Sequence, residues 1–180
     1  MSNYKLGALK KFVGIKEGIE NTNYFIETEK GKFILTIYEK RVNKEDLPFF
    51  SRLMLELSKN GFICPKPISN KNNEYISDFD NKKFMIVSFL EGKSKLNLSP
   101  IECKIVGKEI AKLHQITKNF KFTRKNDLSV KSWRRIFTQV KDKCSKIHPD
   151  LPKLIEANLV NIEKEWPRDL PTGIIHADLF

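Results

Sequence analysis

The fold is decided by two apolar arms on either side of a glycine turn, Asn23-Tyr-Phe-Ile-Glu-Thr-Glu-Lys-Gly-Lys-Phe-Ile-Leu-Thr-Ile-Tyr38. Both arms are rich in β-branched and aromatic residues, which favour strands over residues 23–28 and 32–38. Glu29-Lys-Gly31 is typical of a hairpin turn, because glycine adopts positive φ without strain. A further strand is predicted upstream at Leu9-Lys-Lys-Phe-Val-Gly-Ile15. The sequence therefore predicts a three-stranded antiparallel sheet over residues 9–38.

A helix and two more strands complete the first half of the chain. The helix is predicted over residues 43–60, with Asn43 as its cap and Gly61 as its end. Strands are predicted at 75–77 and at 84–90, where β-branched and aromatic residues recur. The first ninety residues therefore have the order β-β-β-α-β-β.

The second half of the chain is predicted to be helical. Ser99-Pro-Ile-Glu102 is a capping box with proline at the first helical position, and the helix after it runs to about Gln115. Apolar residues at helical spacing predict two more helices, over 132–147 and 151–166. Glu91-Gly92 is interpreted as the hinge between the two halves.

The last nine residues, Thr172-Gly-Ile-Ile-His-Ala-Asp-Leu-Phe180, carry the most specific chemical signal. Ile174 and Ile175 predict a short buried element, and His176 and Asp178 follow it directly. Kinases place the carboxylate that accepts the proton of an attacking hydroxyl on a loop after a packed element. Asp178 is therefore the candidate catalytic base, and His176 is expected to brace the loop backbone.

The connection between the first two strands is the second candidate site. It contains two glycines and two asparagines, Gly14, Gly18, Asn21 and Asn23. Backbone amides of such a turn can close over a phosphate. The same residue types also occupy ordinary turns, so the pattern alone leaves both interpretations open.

The composition describes a folded protein with a basic surface. Hydrophobic residues make up 40% of the chain, and the formal net charge is +11. The lysines are scattered among acidic residues, and the densest groups, at 118–125 and 131–135, are short. A nucleic-acid-binding protein concentrates charge on one element more often, so a solvated surface is the simpler interpretation. An anionic substrate such as a nucleoside triphosphate fits the charge equally well.

Several features predict a cytoplasmic protein. No apolar run reaches the length of a membrane span, and the first residues lack the apolar core of a signal peptide. Cys64, Cys103 and Cys144 are far apart and odd in number, which favours reduced thiols over disulfides.

Six blocks of the sequence together resemble one family closely. They are Gly14-Ile-Lys-Glu-Gly-Ile-Glu-Asn-Thr-Asn-Tyr24, Ile34-Leu-Thr-Ile-Tyr-Glu-Lys-Arg41, Asp46-Leu-Pro-Phe-Phe50, Cys64-Pro-Lys-Pro67, Ile86-Val-Ser-Phe-Leu-Glu-Gly92 and Ile175-His-Ala-Asp-Leu-Phe180. The set is similar to the bacterial homoserine kinases that share a fold with aminoglycoside phosphotransferases and choline kinases. The resemblance implies an α+β, protein-kinase-like fold of two lobes. Residues 1–91 would be an antiparallel sheet lobe that binds the nucleotide, and 92–180 an incomplete helical C-terminal lobe.

The same resemblance implies an activity and its participants. The reaction is phosphoryl transfer from ATP, with Mg²⁺, to the side-chain hydroxyl of L-homoserine, a step towards threonine. Asp178 would act as the base, and the backbone of Ser88, Phe89 and Leu90 would hold adenine. The segment from Gly14 to Asn23 would cover the phosphates.

Two departures from the family pattern qualify these expectations. Kinase-like folds carry an ATP-binding lysine on the third strand, where this chain has Thr36; Lys32, Lys40, or Mg²⁺ with main-chain groups are the candidate substitutes. The metal-binding residues of the family are expected beyond Phe180, so no metal ligand is assigned within this chain. The chain is thus expected to be an inactive fragment that ends in the catalytic loop.

Other functions stay open at this point. The alternatives are a related aminoglycoside- or choline-type kinase, a basic nucleic-acid-binding module, and a kinase-like module without catalysis. Membrane attachment is not expected.

Overall fold

The computed structural model describes residues 3–16, 21–39 and 42–177, which form two compact units. We call the first the sheet unit: it holds the described residues up to Thr123 together with those from Gly173 onward. We call the second the helical pair: it runs from Arg124 to Thr172. The predicted lobe boundary after residue 91, and the assignment of 1–91 to nucleotide binding, stay predictions.

The described residues contain five strands, four α-helices and one short 3₁₀ turn. They are β1 (Leu9–Ile15), β2 (Asn21–Thr28), β3 (Gly31–Tyr38), the 3₁₀ turn (Lys44–Asp46), α1 (Leu47–Lys59), β4 (Ile76–Phe79), β5 (Lys82–Ser88), α2 (Pro100–Thr117), α3 (Val130–Ile147) and α4 (Leu151–Glu165). The predicted order of three strands, a helix and two strands is confirmed, and so are the three later helices.

The strands form one antiparallel sheet in the order β1-β2-β3-β5-β4. The β2–β3 hairpin turns where the sequence predicts: Gly31 has φ +133°, and the Thr28 hydroxyl accepts a hydrogen bond of 3.1 Å from the Lys30 N–H. β5 starts and ends two residues earlier than predicted. Asp80 and Asn81 both have positive φ and make a tight turn, which pairs the residues beside it at once.

One face of the sheet carries the main apolar core. Tyr4 and Leu6, from the segment before β1, pack with Ile26, Phe33 and Ile86 of three central strands. The Tyr4 hydroxyl lies 2.9 Å from Ser77 Oγ, and burial raises the pKa of this phenol. The residues that alternate with these along the strands face the other side of the sheet.

The opposite face is also partly covered. Met85 of β5 points there, since it alternates with Ile86, and it is completely buried. Leu47, the first residue of α1, is equally buried, and α1 packs beside β4. The predicted cap Asn43 accepts a hydrogen bond from the Glu45 N–H, but it caps the 3₁₀ turn that leads into α1.

The helical pair is held by a narrow apolar seam. Phe137 and Cys144 of α3 are buried with Leu159 of α4, and three more side chains pack against them: Trp133, Leu151 and Ile155. Outside the seam, Arg134 pairs with Glu163 and Lys141 with Glu156, which shows that the two helices are antiparallel.

The predicted buried element at Ile174 and Ile175 is wrong. The described residues of this segment have no regular secondary structure, and Ile175 is 58% exposed. The physical reason is that none of the five strands pairs with it, so its backbone gains no ladder and its side chains gain no sheet face to cover.

Cys64, Cys103 and Cys144 are all free thiols, as predicted. The helices found in the described part of the chain are too short or too polar to cross a membrane.

Candidate functional site

The outstanding polar feature of the sheet is a patch of four side chains where β2 begins and β3 ends. Asn21 pairs with Tyr38 and Asn23 with Thr36, and all four residues are half-buried. Partners in an antiparallel register share a face, and so do residues two apart on a strand. This amide patch therefore lies on the face opposite the main core.

Within the amide patch, one hydrogen bond fixes an asparagine. The Thr36 hydroxyl donates to Asn23 Oδ1 at 2.9 Å. A carboxamide has an acceptor oxygen and a donor NH₂ on opposite branches, so the Asn23 NH₂ points away from Thr36. No described residue accepts from it, and it is left as a neutral donor.

The second asparagine of the amide patch, Asn21, has an unsatisfied hydrogen-bond acceptor. The Asn21 Oδ1 atom is buried and has no hydrogen-bond partner. Leaving a buried acceptor unsatisfied costs about 1–3 kcal/mol, and such atoms are rare in folded proteins. The amide patch thus contains an acceptor that a donor from outside the chain would satisfy.

The predicted turn from Gly14 to Asn23 is shorter than the sequence indicates. Asn21 and Asn23 lie inside β2 and pair with β3, because the ladder continues two residues further than predicted. Gly14 lies in β1 opposite Tyr24, and a Cβ there would meet the Tyr24 ring at 3.8 Å, an ordinary contact. Gly18 lies outside the described residues.

An apolar row continues from the amide patch along the same face. Phe25, Ile34 and Val87 are neighbours across β2, β3 and β5, and each is half-buried. The Phe89 ring meets the Phe25 ring edge-on, with 5.3 Å between the ring centroids. Phe25 is two residues from Asn23, or about 7 Å along the strand. The row therefore joins the amide patch to the segment after β5.

The predicted adenine-binding residues Ser88, Phe89 and Leu90 lie at the end of β5 and directly after it, and two of their backbone amides are already used. The Ser88 N–H donates to Lys66 O at 2.9 Å, and the Phe89 N–H donates to Lys32 O at 3.1 Å. Leu90 is 42% exposed, and no described residue accepts a hydrogen bond from its N–H. Of the three amides, Leu90 is the one that stays available to a ligand.

Two lysines on this face, from β3 and β5, are paired with carboxylates, whereas the Lys11 ammonium of β1 lies 6.0 Å from the centroid of the Phe25 ring. Lys32 lies four residues from Thr36, about 13 Å along β3, and its ammonium is 2.8 Å from Glu91, whose hydrogen bond raises the pKa of Lys32. Lys83, opposite Tyr38 on β5, pairs with Asp78 at 2.7 Å. Lys32 is thus not placed to stand in for a lysine at position 36, and Lys40 lies outside the described residues.

The His-x-Asp stretch is described only in part. His176 is exposed, and Ala177 has φ +64°, a left-handed conformation that is uncommon for a residue with a side chain. Asp178 lies outside the described residues. The roles of both residues, base and brace, stay predictions.

Metal ligands were not assigned from the sequence. Within residues 3–16, 21–39 and 42–177, no three His, Cys, Asp or Glu side chains come together in a way that could hold a metal ion.

The sequence interpretation missed the side-chain contacts of the amide patch. It placed Asn21 and Asn23 in a turn that acts through its backbone amides. It noted Thr36 only as the residue found where kinase-like folds carry an ATP-binding lysine. A signal was available, because counting outward from the turn at Glu29 and Lys30 places Asn23 opposite Thr36.

Comparison with known proteins identifies related sequences. A family model described as "Phosphotransferase enzyme family" matches residues 11–180. A homoserine kinase of Methylobacterium radiotolerans is 42% identical over the whole of this chain, which covers 56% of that protein. A homoserine kinase of Xanthobacter autotrophicus is 40% identical, again over the whole chain and 56% of its own length. The chain thus spans about half the length of the curated relatives it matches.

Solved structures share the fold at low sequence identity. An aminoglycoside phosphotransferase from Alicyclobacillus acidocaldarius matches with a TM-score of 0.61 and 12% identity, covering 91% of this chain and 52% of that one. The amicoumacin kinase hAmiN, solved with AMP-PNP, Ca²⁺ and Ami, matches with a TM-score of 0.58 and 16% identity, covering 82% of this chain and 51% of that one. The predicted kinase-like α+β fold is confirmed.

Proposed function

Because the chain belongs to the phosphotransferase enzyme family, we propose that it is part of a homoserine kinase. The reaction is transfer of the γ-phosphoryl group of ATP to the side-chain hydroxyl of L-homoserine, a step of threonine biosynthesis in the cytoplasm. The relatives named homoserine kinase, 40–42% identical along the whole chain, support this substrate over an aminoglycoside or choline.

The observation that carries the proposal is the arrangement of one face of the sheet. The apolar row of Phe25, Ile34 and Val87 offers a surface for a flat purine base. At one end of the row, Leu90 offers a backbone N–H to the edge of the base. At the other end, the amide patch offers neutral donors to phosphate oxygens. Base, sugar and phosphates of a nucleotide follow one another in the same order.

The chemistry at the acceptor is assigned to Asp178. Its carboxylate would take the proton from the homoserine hydroxyl as the oxygen attacks the γ-phosphorus, and ADP would leave. His176 would hold the loop in place. Phosphoryl transfer needs positioning and neutralisation of charge more than covalent help from the protein.

Mg²⁺ would neutralise the phosphate charge when bound with ATP. The described residues provide no group of ligands for it, so no step is assigned to the metal within this part of the chain.

The test uses the full-length protein that contains this chain. We expect Asp178→Asn to lower kcat for ATP-dependent phosphorylation of homoserine by about 10²–10⁴-fold while the affinity for ATP is unchanged, because only the proton acceptor is lost. The readout is a coupled ADP-release assay, with ATP binding measured by calorimetry. Asp169→Asn, in the exposed segment before the loop, is the matched control and should keep wild-type kcat.

Three results would contradict the proposal. An Asp178→Asn variant with wild-type kcat would refute the role of the base. An acceptor profile in which an aminoglycoside or choline outcompetes homoserine would move the protein to another kinase of the family. Strongly salt-dependent nucleic-acid binding without ATP binding would favour the nucleic-acid-binding module.

A further inference from the structure

We infer that the Asn23 carboxamide binds a phosphate oxygen of the nucleotide through its NH₂ group, and that Thr36 is the positioning residue that orients it. This inference rests on the proposed function, because it names the ligand as a nucleotide. It assigns to a neutral amide the contact for which a cationic side chain at position 36 was expected from the sequence.

The first step is the orientation of the Asn23 carboxamide. A free asparagine can present either its oxygen or its NH₂ group to a ligand, and the two have opposite preferences. Here the Thr36 hydroxyl donates to Asn23 Oδ1 at 2.9 Å, so the oxygen is used and the NH₂ group is left for a ligand. A phosphate oxygen only accepts hydrogen bonds, so it matches that donor.

The second step is the position of the Asn23–Thr36 pair. Both residues lie on the face that holds the apolar row, and Phe25 follows Asn23 two residues further along that face. A base on the apolar row would place its phosphates about one or two strand residues away, which is where the pair stands.

The third step is an independent sign that the amide patch is built for a ligand. Asn21 Oδ1, two residues before Asn23 on the same face, is buried without a hydrogen-bond partner. An acceptor in that state is satisfied by a donor from outside the chain, such as a water molecule bound together with a ligand. The amide patch thus offers both a donor and an unsatisfied acceptor to a bound ligand.

The fourth step is the state of the lysines that β3 and β5 place on this face. Lys83 is the cation that the β-ladder places next to Tyr38, and it is paired with Asp78 at 2.7 Å. Lys32 on β3 is paired with Glu91 at 2.8 Å. Neither ammonium has to leave a carboxylate if the Asn23 NH₂ group makes the phosphate contact.

The experiment compares ATP with adenosine, which has the base and sugar but no phosphate, by calorimetry on the full-length protein that contains this chain. We expect Thr36→Val, which has the same shape but no hydroxyl, to weaken ATP binding by about 10–100-fold, the effect of losing a hydrogen bond to a charged group. Asn23→Asp, which keeps the acceptor and loses the donors, should weaken ATP binding at least as much. Adenosine affinity should stay unchanged in both variants.

Two further variants separate this role from a structural one. Thr36→Ser restores the hydroxyl and should bind ATP within about 2-fold of wild type. Thr138→Val removes a hydroxyl from α3 in the helical pair, where it donates to Arg134 O at 2.9 Å, and should leave ATP binding unchanged. Circular dichroism of each variant checks that the sheet is retained.

The outcomes distinguish the inference from the proposed function. Wild-type protein that binds ATP while Thr36→Val binds it equally well would overturn the inference and leave the kinase assignment intact. Equal losses of ATP and adenosine affinity in Thr36→Val would also overturn it, because the contact would then not involve phosphate. Wild-type protein that binds neither ligand would overturn the kinase assignment and the inference together.

Discussion

The sheet unit and the helical pair bury their apolar side chains in different ways. In the sheet unit, Tyr4, Ile26 and Ile86 meet although more than twenty residues separate each from the next in the chain. In the helical pair, Phe137, Cys144 and Leu159 come from two successive helices joined by a short connection. The first core closes only when distant segments pair, whereas the second forms locally.

The difference bears on where a site can be held. The sheet unit contains four side chains that are less than 2% exposed: Ile26, Leu47, Met85 and Ile86. Met85 lies two residues before Val87 on β5 and therefore on the same face as the apolar row. In the helical pair, the buried side chains Phe137, Cys144 and Leu159 are 8%, 9% and 7% exposed, and Ile147 and Leu154 are 78% and 60% exposed. The amide patch therefore lies on the more rigidly packed of the two units.

The largest expected effect comes from the sheet core. Ile26→Ala should lower the free energy of unfolding by about 2–5 kcal/mol, because Ile26 is 1% exposed and the cavity left behind would be lined by segments far apart in the sequence. Leu159→Ala in the helical pair should fall at the lower end of that range, because its seam is narrow. Urea denaturation gives the totals, and amide exchange locates each loss.

The contrast between the two cores would be refuted if Ile26→Ala and Leu159→Ala accelerated amide exchange in the same parts of the chain. We expect exchange to accelerate in β2, β3 and β5 for Ile26→Ala, and only in α3 and α4 for Leu159→Ala. Leu9→Ala, at 47% exposure on the same strand pair, is the control for the sheet and should cost well under half as much as Ile26→Ala. Identical exchange profiles for the two core variants would show that the chain has a single cooperative core.

An intermediate effect is expected at the start of α2, a local feature inside the sheet unit. The capping box is complete: the Ser99 side chain accepts from the Glu102 N–H, and Glu102 accepts from the Ser99 N–H at 2.7 Å. Ser99→Ala should cost about 1 kcal/mol, the usual value for a lost cap, with faster exchange confined to the first turn of α2. Ser99→Asp, which can also cap, should recover most of the loss.

The same cap has a pH dependence of known sign. Hydrogen bonds from Lys95 and then from Ser99 lower the pKa of Glu102 from 4.5 to about 2. A depressed pKa means that the carboxylate stabilises the helix start above pH 4.5 and that this contribution is lost as the pH falls towards 2. Ser99→Ala should move the Glu102 titration, followed by NMR, back towards its ordinary value. An unchanged midpoint would mean that Lys95 and the backbone N–H of residue 99 set the pKa without the Ser99 hydroxyl.

The smallest effect is expected from the exposed ion pairs of the helical pair. Arg134 and Glu163 form a two-point contact, which lowers the pKa of Glu163. Both groups face water, so screening leaves little net stabilisation. Glu163→Gln should shift the thermal midpoint less than Ser99→Ala does, and 1 M NaCl should abolish the difference from wild type, since the screening length is then about 3 Å. A larger shift would mean that charge, and not the seam, holds α3 against α4.

Much of the fold follows from local patterns in the sequence. β1 has the predicted bounds, and the capping box at Ser99 starts α2 as predicted. Strand ends were less predictable: β5 is displaced because Asp80 and Asn81 adopt positive φ in a turn, a conformation that their side chains permit but do not require. Ile174 and Ile175 were predicted to be buried because apolarity alone does not say whether a pairing strand is available.

The candidate site was predictable in its residues but not in its contacts. Asn23 and the Ser88–Leu90 segment were identified from motif and resemblance. That Ser88 and Phe89 have used their amides on Lys66 and Lys32 depends on how distant segments run beside each other, which no local pattern contains. The orphaned oxygen of Asn21 likewise depends on packing around a single atom.

The β2–β3 turn has a consequence for how this sequence tolerates insertion and deletion. Asn23 and Thr36 are thirteen residues apart in the chain and meet only because the turn at Glu29 and Lys30 fixes the register five pairs away, a separation of about 17 Å. Adding one residue to this exposed turn would shift one strand by a position and turn its polar side chains to the apolar face. An insertion or deletion in this surface turn would therefore separate Asn23 from Thr36, whereas substitutions in the turn that keep its length would leave the pair in register.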